Sequence, residues 1–154
     1  MRTRPATCPE WFDSSATTNP APSDPDLTDE QIRADLSAAE SAITALTGRP
    51  AVPWFRFPFG ARTDADIRVV NGAGYVPVRW TVDSLGWKGT SGGLDAAAVT
   101  ERVLAAAAPG QIVLMHVGAN PDDGTTLDAD ALPAIIDGLR TRGYGFVDLA
   151  DVVR

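Results

Sequence analysis

One cysteine and one histidine occur in 154 residues, and these two scarcities limit the chemistry before any pattern is read. Cys8 has no second cysteine to pair with, which excludes an internal disulfide and a thiolate metal cluster. Basic residues are few, 13 Lys and Arg against 20 acids for a net charge of −7. They form no cluster. A chain without a basic patch does not grip a phosphate backbone by counterion release, so nucleic acid is not an expected partner. The longest strongly apolar run, Val103 to Ala108, is far below the roughly 18 residues of a membrane-spanning helix, so no membrane span is expected. Met1 to Glu10 has basic residues with no apolar stretch behind them and does not read as an export signal.

What is present is 44% apolar residues, enough for the core of one domain. Pro5, Pro9, Pro20, Pro22 and Pro25 stand among Ser, Thr and Asp, a composition that predicts an irregular arm over residues 1–27. Order is expected from Thr28, which caps a helix with Gln31 three residues on in a capping box. Ile32, Leu36, Ile43 and Leu46 then share one face, and Gly48 with Pro50 ends the helix.

Four strand-like runs follow: Ala51 to Phe55, Tyr75 to Asp83, Gln111 to His116 and Tyr144 to Asp148. Val76, Val78, Trp80 and Val82 alternate as a strand requires, and Ile112 to Met115 is continuously apolar. Helices are predicted between them at Thr63 to Val70, Leu94 to Ala107 and Asp128 to Arg142, the last closed by Gly143. Such a β-α series predicts parallel strands with right-handed crossovers, open or curved into a barrel. About four strands leave an unpaired sheet edge, a route to self-association.

Functional groups in parallel sheets gather where strands end. The first run enters Arg56-Phe57-Pro58-Phe59-Gly60, the second ends at Asp83 before Ser84-Leu85-Gly86-Trp87, and the third closes on His116. His116 is the side chain whose free pKa suits proton transfer near neutrality; a hydrogen-bonded core histidine is the other reading. Asp83 holds the imidazole, or merely starts a turn. Arg56 precedes a rigid turn whose backbone N–H groups are candidates to face an oxyanion. Trp54, Trp80 and Trp87 offer faces on which sugar rings stack, Trp87 foremost because it lies in a loop. Gly72-Ala73-Gly74 precedes a strand and fails the dinucleotide fingerprint, and Asn120 to Asp123 with Asp128 reads as a solvated turn.

At these residues the chain resembles the polysaccharide deacetylase family, the NodB-homology domains of carbohydrate esterase family 4. Arg56 to Gly60 is similar to the family's third motif, Trp80 to Trp87 to its fourth, and Leu114-Met115-His116 to its fifth. The resemblance implies an incomplete, distorted (β/α) barrel over 28–154. It implies deacetylation of N-acetylated polysaccharides or oligosaccharides, such as chitin or peptidoglycan, with a divalent metal, zinc or cobalt, at an extracellular or cell-envelope location. In those roles His116 would protonate the leaving amine, Asp83 tune it and Arg56 orient the base. The Phe59 N–H would donate to the oxyanion, and Leu114 and Trp87 would wall the acetyl pocket.

The family's first motif, a Thr-Phe-Asp-Asp-Gly block, has only Phe12-Asp13-Ser14-Ser15 against it, and Pro20 and Asp24 stand where the second motif has histidines. Proline ligates no metal, so no metal ligand is assigned. The expectation is therefore a deacetylase-type hydrolase, truncated at its start or decayed and of impaired activity. The alternative is a non-catalytic glycan-binding or interaction domain derived from one.

Overall fold

A computed structural model describes residues 27–152. The expected arm, with Cys8, Phe12 to Ser15, Pro20 and Asp24, lies outside the described residues except for Leu27. The chain divides after Arg79 into two compact units. No helix among the described residues is long and apolar enough to cross a membrane.

In the first unit, α1 spans Asp29–Thr47 and starts as the capping box requires. The Gln31 N–H donates to Thr28 Oγ1 at 3.3 Å, and the Thr28 N–H donates to Gln31 Oε1 at 2.8 Å. It ends at Gly48, whose φ of 69° only glycine adopts without strain. Ile32, Leu36 and Ala39 are buried, but Leu46 is 85% exposed. The expected stripe outruns its partner: α1 has 19 residues and α2, Asp64–Gly72, has 9, roughly 28 Å against 14 Å at 1.5 Å per residue.

A second capping box, Thr63 with Asp66, starts α2. The helix joins β1, Trp54–Phe55, to β2, Val76–Pro77, which pair in parallel with Trp54 opposite Val76. Beneath them Ile32, Leu36, Phe57, Val69 and Val70 form the core, and Phe55 meets Phe57 edge-on with ring centroids 4.9 Å apart.

The second unit repeats the β-α-β plan. β3, Val82–Asp83, pairs in parallel with β4, Val113–Leu114, through α3, Ala96–Ala105, and the register sets Asp83 opposite Leu114. Asp95 caps α3 by accepting the Ala98 N–H at 2.7 Å. α4, Leu127–Thr141, packs on α3 around Val99, Val103, Leu127, Ala131, Ile135 and Leu139, and α5, Leu149–Val152, follows. Gly138 lets the two helices approach, since a Cβ there would lie 2.6 Å from Leu104 Cδ1.

Two expectations are corrected. The run Tyr75 to Asp83 is two strands in different pairs, not one. Pairing with β1 ends at the Val78 N–H, which donates to the Phe55 carbonyl at 2.7 Å, and pairing with the other partner begins at Thr81, whose hydroxyl exchanges hydrogen bonds with both backbone groups of Ile112 at 3.0 Å. The run Tyr144 to Asp148 forms no strand. After Gly143 the Tyr144 N–H turns back to the Leu139 carbonyl, and Phe146 and Val147 are exposed. An alternating pattern makes a strand only where a neighbouring backbone is there to pair with.

Candidate active site

The parallel register of β3 and β4 builds this site. Asp83 is the last residue of β3, and His116 stands two residues beyond Leu114, its partner across the ladder. His116 Nε2 lies 3.0 Å from Asp83 Oδ1, with both side chains about three-quarters buried. An ionised carboxylate only accepts, so this contact puts a proton on Nε2 and leaves Nδ1 as the ring atom that exchanges one.

Asp83 is itself held from two directions. Its Oδ1 also accepts the Leu85 N–H at 2.9 Å, and its backbone carbonyl accepts from Arg102 Nε, on α3, at 2.7 Å. Leu85 sits at φ 62°, a left-handed conformation unusual for a branched side chain, and swings the chain into the short 3-10 turn Gly86–Lys88. That turn presents Trp87 beside the imidazole, ring centroids 6.4 Å apart and 60° between planes. Trp87 is 39% exposed. Its carbonyl accepts from Asn120 Nδ2 at 2.8 Å, which fixes the turn against the 120–125 loop.

The sequence reading missed Asp128. Expected in a solvated turn, it is 5% exposed, and its Oδ2 accepts the backbone N–H of His116 at 2.6 Å. An aspartate in the first turn of a helix reads as a helix-terminal charge, so nothing local announced its burial. The rest of that segment is also more than a solvated turn. Asp123 accepts from the Thr125 hydroxyl and N–H, the Ser91 N–H and the Thr90 hydroxyl. These bonds, those of Thr125 and Ser91 foremost, hold its carboxyl well below the usual carboxylate range.

Asp83, Trp87, Leu114 and His116 are thus brought together within the second unit. Arg56 and Phe59 lie in the first, on the turn that follows β1. There Pro58–Gly60 forms a 3-10 turn with Phe59 at φ 53° and its side chain exposed, while Phe57 is buried. Arg62 braces the turn by donating from Nη1 to the Gly60 carbonyl at 2.7 Å.

Among the described residues no three His, Cys, Asp or Glu side chains converge on a point. His116 Nε2 is engaged by Asp83, and the Asp128 carboxylate is closed off. The described residues do not fit a divalent ion.

The polysaccharide deacetylase family model matches residues 14–78. A chitooligosaccharide deacetylase of Azorhizobium caulinodans is 30% identical over 132 residues, 80% of this chain and 61% of that relative. A solved peptidoglycan N-acetylglucosamine deacetylase superposes with a TM-score of 0.73 at 27% identity, over 87% of this chain and 59% of that one. A family 4 carbohydrate esterase pseudoenzyme from Bacillus anthracis gives 0.70 at 27% identity, over 84% of this chain and 42% of that one. The chain therefore spans less than two thirds of the length of each. Its α/β architecture of short parallel strands and helices is an incomplete form of its relatives' (β/α) barrel. Taken with the Asp83–His116 pair at the ends of adjacent parallel strands, these likenesses support a NodB-homology domain of the carbohydrate esterase family 4 type.

Proposed function

We propose that the chain carries the proton-transfer half of a carbohydrate deacetylase, hydrolysing the carbon-nitrogen amide bond of N-acetylated sugars. The observation that carries this reading is the 3.0 Å contact of His116 Nε2 with Asp83 beside the exposed Trp87. Water adds to the acetyl carbon and loses a proton, the C–N bond breaks, and the departing amine takes a proton to become a free amino sugar while acetic acid is released, so the proton lost by the water balances the one taken by the amine. A protonated His116 supplies that proton from Nδ1 while Nε2–H stays on Asp83, so the ring does not turn during transfer. Asp83 stabilises the charged ring and holds its orientation, as the acid of a Ser-His-Asp triad does for its histidine. Trp87 offers an apolar face for the sugar or its acetyl methyl. Leu114, half-buried opposite Asp83, backs the same place.

The family resemblance supports an N-acetylated glycan as substrate, while the divalent metal expected with it finds no ligand set among the described residues. The test is acetate release from chitooligosaccharides by the full chain with and without zinc or cobalt. Release that falls at least about 100-fold in His116→Ala is the expected result. Saturable binding of the sugars, seen in tryptophan fluorescence, with no acetate released under any condition would replace hydrolysis with glycan binding.

A further inference from the structure

Asp128 is a buried carboxylate that the chemistry above does not use. It is 5% exposed, its Oδ2 accepts the His116 backbone N–H at 2.6 Å, and its Oδ1 has no hydrogen-bond partner among the described residues. Leaving a buried carboxylate oxygen unpaired is costly, on the order of 1–3 kcal/mol or more. A fold that retains one has put it to a use that an apolar residue of similar size would not serve.

Its surroundings indicate the use. A Cβ built on Gly86 would fall within 2.5 Å of Asp128 Cγ and would also collide with both carboxylate oxygens. Gly86 does not have a positive φ, so the backbone there tolerates any residue; what forbids a side chain is Asp128. The glycine belongs to the same 83–87 segment that carries Asp83, Leu85 and Trp87. Asp128 thus fills a space left open in that segment and bonds the backbone of the histidine the segment faces.

We infer that Asp128 is a positioning residue for His116, and that Gly86 and Asp128 act as one device. Asp83 holds the imidazole by its ring, and Asp128 holds the same residue by its backbone, at the point where the chain leaves β4. Two anchors, one at each end of the side chain, fix where Nδ1 stands. This deepens the proton-transfer reading and rests on it, but its readout is the ring itself and not acetate, so either can fail alone.

His116 is the single histidine of the chain, so imidazole nitrogen resonances report it without assignment. In the parent protein, above the pH at which the ring is neutral, the expected spectrum is one tautomer with the proton on Nε2. In Asp128→Ala the ring loses that bias and shows averaged tautomers. Gly86→Ala, whose methyl displaces the carboxylate, does the same. The double variant Gly86→Ala/Asp128→Ala places a methyl where the carboxylate was and so folds better than either single change predicts. It still lacks an acceptor for the His116 N–H, and its ring is averaged too. Asp128→Asn keeps an acceptor and restores the Nε2–H spectrum. A double variant that folds with the parent tautomer intact would overturn the inference and leave Asp128 a packing residue.

Discussion

The Asp83 oxygen that meets His116 also accepts the N–H of Leu85, a residue held at φ 62°. One carboxylate oxygen therefore joins the imidazole to the turn that displays Trp87, and the strain at Leu85 is part of what aims it. Asp83→Asn keeps the shape but removes the negative charge. An amide also turns either an oxygen or an NH2 to the ring, which weakens the hold on one tautomer. Acetate release is expected to fall at least about 100-fold, while circular dichroism and melting stay near those of the parent.

Leu85 separates strain from contact. Glycine relieves a left-handed conformation worth about 1–2 kcal/mol but adds about 0.5–1 kcal/mol of unfolded-state freedom. Leu85→Gly should therefore lie within about 1 kcal/mol of the parent in urea unfolding. Leu85→Val, branched at Cβ, should be clearly less stable, because such residues are the least tolerant of this region.

Val99 and Val103 are fully buried between α3 and α4. Truncating either to Ala removes two methyl groups and leaves a cavity, a loss of about 2 kcal/mol. At about 4–8 °C per kcal/mol for a unit of this size, melting followed by circular dichroism should drop by roughly 10 °C. A drop of only one or two degrees would mean that this helix pair is not the centre of the second unit.

How much of this was legible depended on how local each signal is. Thr28, Gln31 and Gly48 placed α1 to within a residue, because caps are read from neighbours in sequence. Asp83 and His116 were found together for a similar reason: each ends an apolar strand, and parallel strands bring such ends to one side. The extent of pairing was not legible. Whether Val78 or Phe146 joins a ladder depends on a backbone elsewhere in the chain, and no pattern within either run records it. Asp128 is the extreme case, since its burial follows from the missing side chain at Gly86, two ordinary-looking residues with no shared periodicity.

Asp123 gives a pH dependence whose direction is fixed. Its carboxyl is held below the usual range by Thr125, Ser91 and Thr90, so its contribution is complete above the unfolded value of about 3.9. It is lost as pH falls below that and through the folded value. The amide protons of Ser91 and Thr125, which donate to this carboxylate at 2.6 and 2.9 Å, should remain protected from exchange between pH 7 and about 4, then lose protection on further acidification. In Asp123→Ala both should exchange readily at every pH. A parent protein that loses Ser91 protection already between pH 7 and 5 would contradict this assignment, because no carboxylate held this way titrates there.

Trp87 tests whether the site meets a sugar. The indole is 39% exposed, braced through its carbonyl by Asn120 and flanked by Lys88, whose Nζ stands 5.7 Å from the ring centroid. With its backbone fixed, the free face is already oriented before any ligand arrives, so little side-chain freedom remains to be lost on binding. Stacking on such a face contributes about 0.5–1.5 kcal/mol beyond buried area. Trp87→Ala should therefore weaken chitooligosaccharide binding by roughly 3- to 10-fold or more, measured by calorimetry, and should remove the ligand-induced change in tryptophan emission. Trp87→Phe should recover part of the affinity. Asn120→Ala, which leaves the indole in place but frees its turn, should fall between the two, because it returns part of the ordering to the binding step. If Asn120→Ala binds as tightly as the parent while Trp87→Ala does not, the indole acts by area alone and the preorganised turn contributes nothing.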